Sequence, residues 1–257
     1  MNGTEATRPI TLDVLGSMEA RVLGRRVPLG GPKQRALLAA LLLKRGRVAP
    51  VDHLVDVLWE DAPPVTAVVK VQGHVHALRK SLAGCGCQDV HEVLATRAPG
   101  YALLLGRIRT DLAAFDELTS AAELATAAGR RADASILLGS ALGLWRGGAF
   151  ADVPAPAVRA AAQRLGERRM TAVEDRAQCD LELGRFRQVL DELGEFIEEN
   201  PFRERLRELQ MLALIGLDRT SEAIVCYQHG RRLLGRELGV EPCHRLRRLA
   251  ASIGYRQ

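Results

Sequence analysis

The sequence predicts a mainly α-helical protein that begins with a small α+β domain and continues as an all-α domain. In residues 10–106, stretches of alternating apolar and polar residues, which are typical of strands, flank stretches with helical periodicity. From residue 111 to 254, apolar residues recur at steps of three and four, so we expect only helices there. Residues 1–106 hold 4 Lys and 9 Arg against 9 acidic residues and so carry most of the net charge of +5. A basic domain of this kind permits a nucleic-acid partner.

The first elements are strands and a helix. Residues 10–15 alternate between apolar and polar, and residues 20–29 continue the pattern in short pieces around a glycine, which predicts a small antiparallel sheet. Pro32 then begins a helix that we expect to end before Gly46. Proline suits the first helical turn, and glycine suits the residue after the last.

Two further helices follow. Residues 51–61 place Leu54, Val57 and Leu58 on one face of a helix. The third helix, within residues 62–84, is preceded by two prolines and has an apolar stripe at steps of three and four. The residues of this stripe, which we expect to face the core, are Val68, Val71, Val75, Leu78 and Leu82.

The opposite face of the third helix is the candidate functional surface. It holds Thr66, Val69, Lys70, Gly73, His76, Ala77 and Lys80. Two cations, no carboxylate and small residues between them would let this face lie against a polyanion, and an α-helix fits the major groove of DNA. The alternative is an ordinary solvated surface, since charged residues usually mark solvated faces.

A hairpin closes the first domain. Val90, Val93 and Leu94 indicate a strand, residues 98–100 a tight turn, and residues 101–105 a returning strand. Three helices followed by a hairpin is the order of a winged helix-turn-helix domain. In that fold the third helix enters the major groove and the hairpin reaches the neighbouring backbone or minor groove. The leading sheet narrows the class to the winged helix of response regulators.

Two further cations are candidate DNA contacts. Arg97 lies at the hairpin turn and would enter a narrow minor groove, although it could equally be an exposed turn arginine. Lys33 lies at the start of the first helix and would touch the DNA backbone.

The second part of the chain has the pattern of paired helices. We expect helices at residues 157–183, 185–199, 202–217, 221–238 and 242–253. The junction sequences LELGRF and IGLDRT lie 34 residues apart, which is the tetratricopeptide period. Helical pairs of this kind stack into an array with a concave surface suited to binding another protein.

The sequence disfavours several other classes of protein. Five cysteines, an odd number, without an export signal predict reduced thiols and a cytoplasmic location. The longest apolar run, residues 36–43, is much shorter than the roughly 20 residues of a membrane span. Cys85 and Cys87 lack the spacing of a zinc site, and no nucleophile elbow, phosphate loop or H-E-x-x-H motif is present. We therefore expect no enzyme, no cofactor, no metal and no membrane partner.

Several segments, in order, resemble one known family. The segments PKQRALLAALLL, VDHLVDVLWEDAPP, VQGHVHALRKSL and ATRAPGYAL, followed by GLWRGGAFADVP and ELGVEP, are similar to the Streptomyces antibiotic regulatory proteins, the SARP family. The resemblance covers residues 10–254. The chain departs from the family in the hairpin, where TRAPGY replaces the commoner TRPPGY, and in the third helix, which contains Gly73 and two histidines.

The resemblance implies a winged-helix DNA-binding domain at residues 1–106 and a tetratricopeptide-like bacterial transcriptional activation domain at residues 107–257. It implies an activator of an antibiotic or other specialised-metabolite gene cluster. Such an activator binds direct repeats near the −35 region of double-stranded promoter DNA and recruits RNA polymerase holoenzyme with its sigma factor. Direct repeats imply a homodimer, at least on DNA, with a head-to-tail arrangement. The alternative is a helical-repeat adaptor that binds proteins without specific DNA binding.

Overall fold

The computed structural model describes residues 10–255 of the chain. Its internal contacts divide the chain into two compact units. The first comprises the residues up to Glu117 together with Gly143–Arg169, and the second comprises Leu118–Leu142 together with the residues from Met170 onwards. The predicted fold class is confirmed: a winged helix with its leading sheet is followed by helices. The ends of the two predicted domains, residues 1–9 and 256–257, lie outside the described residues.

The elements follow one another as the sequence pattern predicts, with a few differences. The first part contains β1 Ile10–Asp13, β2 Glu19–Val22, β3 Arg25–Arg26, α1 Pro32–Leu43, β4 Ala49–Pro50, α2 Val51–Trp59, α3 Ala67–Gly84, α4 Val90–Val93, β5 Leu94–Arg97, β6 Gly100–Leu103 and β7 Ile108–Thr110. The helices that follow are α5 Asp111–Ala127, α6 Arg131–Leu142, α7 Pro156–Glu182, α8 Phe186–Glu199, α9 Glu204–Gly216, α10 Thr220–Leu238 and α11 His244–Ser252. The division between the two units falls within α5 and within α7.

A four-stranded sheet, in the order β3-β2-β1-β7, belongs to the first unit. β1 pairs with β2 in antiparallel fashion and with β7 in parallel, with Ile10 opposite Ile108. The sequence did not reveal β7, because three residues give too short an alternation to recognise. Since β7 follows residue 106, the first compact unit extends past the predicted domain boundary, which itself stays a prediction.

Residues 143–152 pack on the loop that follows β1, within the same unit. The backbone N–H of Arg146 donates to the carbonyl of Leu15 at 2.7 Å, and that of Phe150 donates to the carbonyl of Val14 at 2.8 Å. The segment GLWRGGAFADVP, noted in the sequence only as part of a resemblance, therefore has a structural role in the first unit.

The carboxylate of Asp111 fixes the same loop from another side. Asp111 begins α5, is 8% exposed, and accepts hydrogen bonds from the backbone N–H groups of Val14 and Leu15 at 2.8 Å. The guanidinium Nη2 of Arg146 lies 3.4 Å from Oδ2 of the same carboxylate. One side chain thus joins the end of β1, the start of α5 and the 143–152 segment.

Asp152 makes a second contact of this kind. Its carboxylate accepts a hydrogen bond from the backbone N–H of Met18 at 2.8 Å and pairs with Arg35 of α1. The guanidinium of Arg35 also donates to the carbonyl of Met18 at 3.0 Å. The 143–152 segment is thereby held against both the sheet loop and α1.

The buried stripe of α3 differs from the prediction at its first position. Val71, Val75, Leu78 and Leu82 are buried as expected, but Val68 is 46% exposed and Ala67 is buried in its place. Residues 67 and 68 both lie at a helical step from Val71, and the rotation of the helix in its packed position turns residue 67 inwards. The expectation for Val68 was therefore wrong.

The predicted strand at Val90 and Val93 was also wrong, because these residues form a short helical turn and the strand begins at Leu94. Both valines are buried, and a spacing of three places them on the same side of a helical turn. The backbone N–H of Val93 donates to the carbonyl of Asp89 at 3.0 Å, which closes the turn. The side chain of Arg107 reinforces it through ion pairs with Asp89 and Glu92.

The hairpin of the wing is present as predicted, and it acquires a third strand. Its sheet has the order β4-β6-β5, with Arg97 opposite Gly100 and Ala49 opposite Tyr101. A Cβ atom at Gly100 would lie 1.9 Å from the carbonyl oxygen of Ala49. Residue 100 must therefore be glycine, because β4 approaches its backbone directly.

In the second unit, the junctions between helices repeat one backbone geometry. Gly184 and Asp218, which are 34 residues apart, both adopt left-handed φ angles, of 73° and 59°. The N–H of the following arginine, Arg185 or Arg219, donates to a carbonyl in the last turn of the preceding helix at 2.8 or 2.9 Å. Gly129, between α5 and α6, has the same geometry, with a φ of 74°. The two junctions that lie 34 residues apart therefore share one geometry, whereas the junction at Gly129 lies 55 residues before Gly184.

We predict that Gly100→Ala separates β4 from the wing. The added methyl group overlaps the Ala49 carbonyl, and overpacking of this kind typically costs about 1–3 kcal/mol. The expected result is a lower midpoint of urea unfolding. Gly73→Ala is the control, because its Cβ would meet nothing within 4 Å. On the exposed surface of α3 that change is expected to stabilise by about 0.5–1 kcal/mol. Equal midpoints for the two variants would contradict the packing of β4 on Gly100.

Candidate nucleic-acid interface

The face of α3 predicted to contact DNA is exposed to solvent. Thr66, Val69, Lys70, Gly73, His76 and Lys80 are exposed, and Ala77 is half-buried. Thr66 precedes the first residue of the helix, and the remaining positions follow one another along its outer side. The structure therefore brings the predicted residues together on one surface, without itself testing DNA contact.

The charge of this surface comes from two lysines. Lys70 and Lys80 are exposed and make no ion pair with any residue in the described range 10–255. They are separated by ten residues, which is about 15 Å along a helix axis. Gly73, between them, has open space beside it. Two unpaired cations on the exposed side of a helix suit contact with a phosphate backbone.

The first turn of α3 is apolar as well as exposed. Val69 is 65% exposed, and Val65 and Val68 are exposed beside it. Sequence reasoning identified Val69 but missed the other two, because Val68 fitted the core stripe and Val65 lies before the helix. Exposed valines are costly in water, whereas a major groove offers them the methyl groups of thymine.

Arg79 joins α3 to the wing, and sequence reasoning missed it. Its Nε and Nη2 atoms donate to the carbonyl of Leu94 at 3.0 and 2.5 Å, and Nη2 also donates to Oγ1 of Thr96 at 2.9 Å. The guanidinium lies 6.0 Å from the centre of the Tyr101 ring. Since Leu94 and Thr96 belong to β5, the helix and the wing strand are fixed relative to each other. A lone arginine beside a lysine carries no sequence signal for such a contact.

Arg97 lies at the end of β5, next to the two-residue turn Ala98–Pro99. It is exposed and makes no ion pair within the part of the chain that the structure describes. The carbonyl of Pro99 accepts a hydrogen bond from the N–H of Val51 at 3.2 Å, which ties the turn to the start of α2. Arg97 is thus a free cation on an anchored turn.

Lys33 is engaged within the protein. Its Nζ donates to the carbonyl of Leu58, near the end of α2, and lies 5.1 Å from the centre of the Trp59 ring. A cation at a helix C-terminus interacts favourably with the helix dipole. Its contact with the DNA backbone stays a prediction, and the ammonium group would have to leave this internal partner to make it.

His74 lies between this contact and the outer face of α3. Its ring stacks on Trp59 with the ring centres 6.4 Å apart. Burial lowers the pKa of His74 below its usual value, and the charges of Lys33 and Lys70 lower it further. His74 is therefore neutral near pH 7. It is half-buried, whereas His76, two residues further along the helix, is exposed to solvent.

Neither a metal centre nor a membrane span is found in the described residues. Within residues 10–255, no three His, Cys, Asp or Glu side chains come together in a way that could hold a metal ion. No helix of the same range combines the length and the hydropathy needed to cross a bilayer.

Comparisons with protein families match two consecutive regions of the chain. Residues 24–103 match the model described as "Transcriptional regulatory protein, C terminal", and residues 110–254 match that of the bacterial transcriptional activator domain. The first region contains α3 and the wing. The second begins at β7 and covers the helices up to the C-terminus of α11.

Individual relatives carry the names of regulators. The regulatory protein AfsR of Streptomyces coelicolor is 41% identical over 93% of this chain, which spans only 23% of AfsR. The regulatory protein DnrI of Streptomyces peucetius is 34% identical over 94% of this chain and 91% of its own length. The structure of Mycobacterium tuberculosis EmbR, determined with a low-affinity phosphopeptide, superposes with a TM-score of 0.90 at 36% identity. That match covers 95% of this chain and 65% of EmbR.

We predict that Lys33→Met raises the pKa of His74 towards its usual value of about 6.5. The substitution keeps an unbranched apolar side chain but removes a positive charge that disfavours the imidazolium form. The pKa is measured by following the imidazole protons of His74 by NMR as the pH changes. Lys44→Met is the control, since Lys44 acts on His53 and not on His74. An unchanged His74 pKa in Lys33→Met would show that the ammonium does not act on the imidazole.

Proposed function

The chain belongs to the Streptomyces antibiotic regulatory protein family, and on that basis we propose that it activates transcription by binding promoter DNA through α3 and the wing. Its two matched regions and the relatives named above identify it as a transcriptional regulator, so the prediction that it is not an enzyme is confirmed. The matched regions also support the proposed division into a DNA-binding domain at residues 1–106 and an activation domain at 107–257.

The observation that carries the DNA proposal is the carboxylate-free outer face of α3 with its two unpaired lysines. In the proposed complex this face enters the major groove, where Lys70 and Lys80 bind phosphates or guanine edges. Thr66 and His76 contact bases or phosphates, Val69 and Ala77 meet thymine methyl groups, and Gly73 permits close approach. Because Arg79 fixes the wing to α3, Arg97 is positioned to enter the neighbouring minor groove.

Further proposals concern the promoter and its partners. We propose that the DNA site consists of direct repeats near the −35 region, bound by a head-to-tail homodimer. The helical domain would contact the protomer beside it, RNA polymerase holoenzyme through its sigma factor, or both. The regulated genes would form an antibiotic or other specialised-metabolite cluster, in line with the family to which the chain belongs. Since promoter DNA and polymerase are its proposed partners, we expect the protein to act in the cytoplasm.

A second candidate function is a protein-binding adaptor without specific DNA recognition. The second unit favours it through exposed apolar side chains on its helices, Ile136 and Val225 among them. Such side chains are common on surfaces that bind proteins, but scattered ones are also normal on any protein. The DNA-binding experiments below separate the two functions.

We predict that Lys80→Ala and Arg97→Ala each weaken binding to the promoters around the protein's own gene. Loss of one phosphate contact lowers the slope of log affinity against log salt by about one unit. Footprinting and gel shifts over a range of salt concentrations measure both effects. Arg236→Ala is the control, because this exposed arginine of α10 pairs, among the described residues, only with its neighbour Glu237. If the wild type preferred no promoter over random DNA, the adaptor function would replace the activator.

We predict a different result for Arg79→Met, which separates positioning from contact. Arg79 donates its hydrogen bonds to the wing, so its loss frees the wing without removing a phosphate contact. The expected affinity for the promoter falls about tenfold, which is about 1.4 kcal/mol, while the salt slope stays unchanged. A reduced slope in Arg79→Met would show that the guanidinium contacts DNA directly. Unfolding curves of the same variant check that the domain remains folded.

A further inference from the structure

A cavity of about 300 Å³ opens near the C-terminus of the second unit. Its lining residues are Tyr227 of α10, His244, Arg247, Arg248 and Ala251 of α11, and Tyr255. The four residues of α11 lie on one face of the helix, so this face and Tyr255, three residues past the end of the helix, form most of the wall. The transcriptional function proposed above makes no use of this cavity.

The cavity is rich in cations that have no partner. Within residues 10–255, the guanidinium groups of Arg247 and Arg248 form no ion pair or hydrogen bond, although those of arginines around them do. Arg245, on another face of α11, pairs with Glu208 at 3.0 Å. Among the described residues that line the cavity, none carries a carboxylate. Unpaired guanidinium groups in a concave site attract anions, because the walls focus the field and the planar fork of the group matches a carboxylate or a phosphate.

Tyr227 forms the inner wall of the cavity. Its side chain is only 1% exposed, and its hydroxyl has no hydrogen-bond partner among the residues that the structure describes. Burial raises the pKa of Tyr227, so the group is a neutral phenol that can donate a hydrogen bond. Because no described residue accepts from this hydroxyl, it can donate to an acceptor from outside the chain.

The remaining wall is aromatic and partly apolar. The rings of Tyr227 and Tyr255 pack edge to face, with their centres 4.9 Å apart. Arg231, which pairs with Glu241 at 3.0 Å, donates to the hydroxyl of Tyr255 at 3.4 Å and so holds that ring in place. A volume of about 300 Å³ is at the lower end of the range for small-molecule sites, which are usually apolar with a few polar groups.

We propose that this cavity binds a small organic anion, a carboxylate or phosphate group carried on a flat, largely apolar body. Arg247 and Arg248 bind the anion, and Tyr227 donates a hydrogen bond to it. Tyr255 and Ala251 pack against the body of the ligand. The proposal goes beyond the transcriptional function, because the cavity lies wholly within the second unit and binding requires no DNA.

The test is titration of the full chain with benzoate and phenyl phosphate, each about 1 mM and above, followed by calorimetry and by NMR chemical shifts. Benzyl alcohol is the neutral counterpart, and inorganic phosphate is the anion without a ring. We expect at least one charged aromatic probe to bind, with shifts centred on α11, and benzyl alcohol and inorganic phosphate to bind at least about tenfold more weakly, which is about 1.4 kcal/mol. The stronger of the two aromatic probes identifies the preferred anion.

Variants assign the binding to the cavity. Arg247→Gln combined with Arg248→Gln is expected to weaken binding about tenfold or more, and Tyr227→Phe, which keeps the ring, by a smaller factor of at least about three. Arg245→Gln is the control, because it removes one positive charge from the same helix outside the cavity and is expected to leave the affinity within about twofold.

Three results would overturn the proposal. They are the absence of binding by either aromatic anion to the wild type, chemical shifts centred away from α11, and an equal loss of affinity in Arg245→Gln and the double variant. If the double variant fails to fold, the chemical-shift changes of the wild type still show whether the probe binds at α11. DNA binding is measured separately, so failure here leaves the promoter proposal untouched.

Discussion

The first unit depends on a single buried carboxylate, that of Asp111. The side chain lies where β7 ends and α5 begins, and its carboxylate accepts hydrogen bonds from the N–H groups of Val14 and Leu15. These two donors follow β1 and lie outside its ladder, so Asp111 supplies acceptors that the sheet does not. A carboxylate at the first residue of a helix is also stabilised by the helix dipole. The parallel pairing of β1 with β7 and the position of the following helix are therefore fixed by the same group.

Contacts on the other sides of α3 fix the position of its outer face. Val71, Val75 and Leu78 set its depth in the core, and Arg79 sets the distance and angle of the wing. The helix and the wing are therefore held in fixed positions relative to each other. They carry three cations that make no ion pair within residues 10–255, Lys70, Lys80 and Arg97. Placing mobile cations on rigid elements reduces the entropy that must be lost when they meet a ligand.

Periodicity predicted the helices and the wing, because apolar spacing and turn residues are local properties of the chain. It predicted Val71, Val75, Leu78 and Leu82 as core residues, but it wrongly chose Val68 in place of Ala67, since both lie a helical step from Val71. Periodicity could not predict three features, which are the contacts of Arg79, the strand β7 and the packing of residues 143–152. Each of them depends on a partner far along the chain, and none of them has a repeating pattern of its own. The predicted face of α3 was found because it is the complement of a periodic stripe.

The position of residues 143–152 limits the exchange of the second domain between proteins with these two domains. The segment lies in the helical half of the sequence, yet its backbone bonds to Val14 and Leu15 and its Asp152 pairs with Arg35. A recombination event that exchanged everything after residue 106 would import a foreign version of Asp111, Arg146 and Asp152 at once. The new combination would fold only if the incoming segment still matched the loop after β1. An exchange of domains at residue 106 would therefore have to preserve these contacts, although a linear map of two domains does not show them.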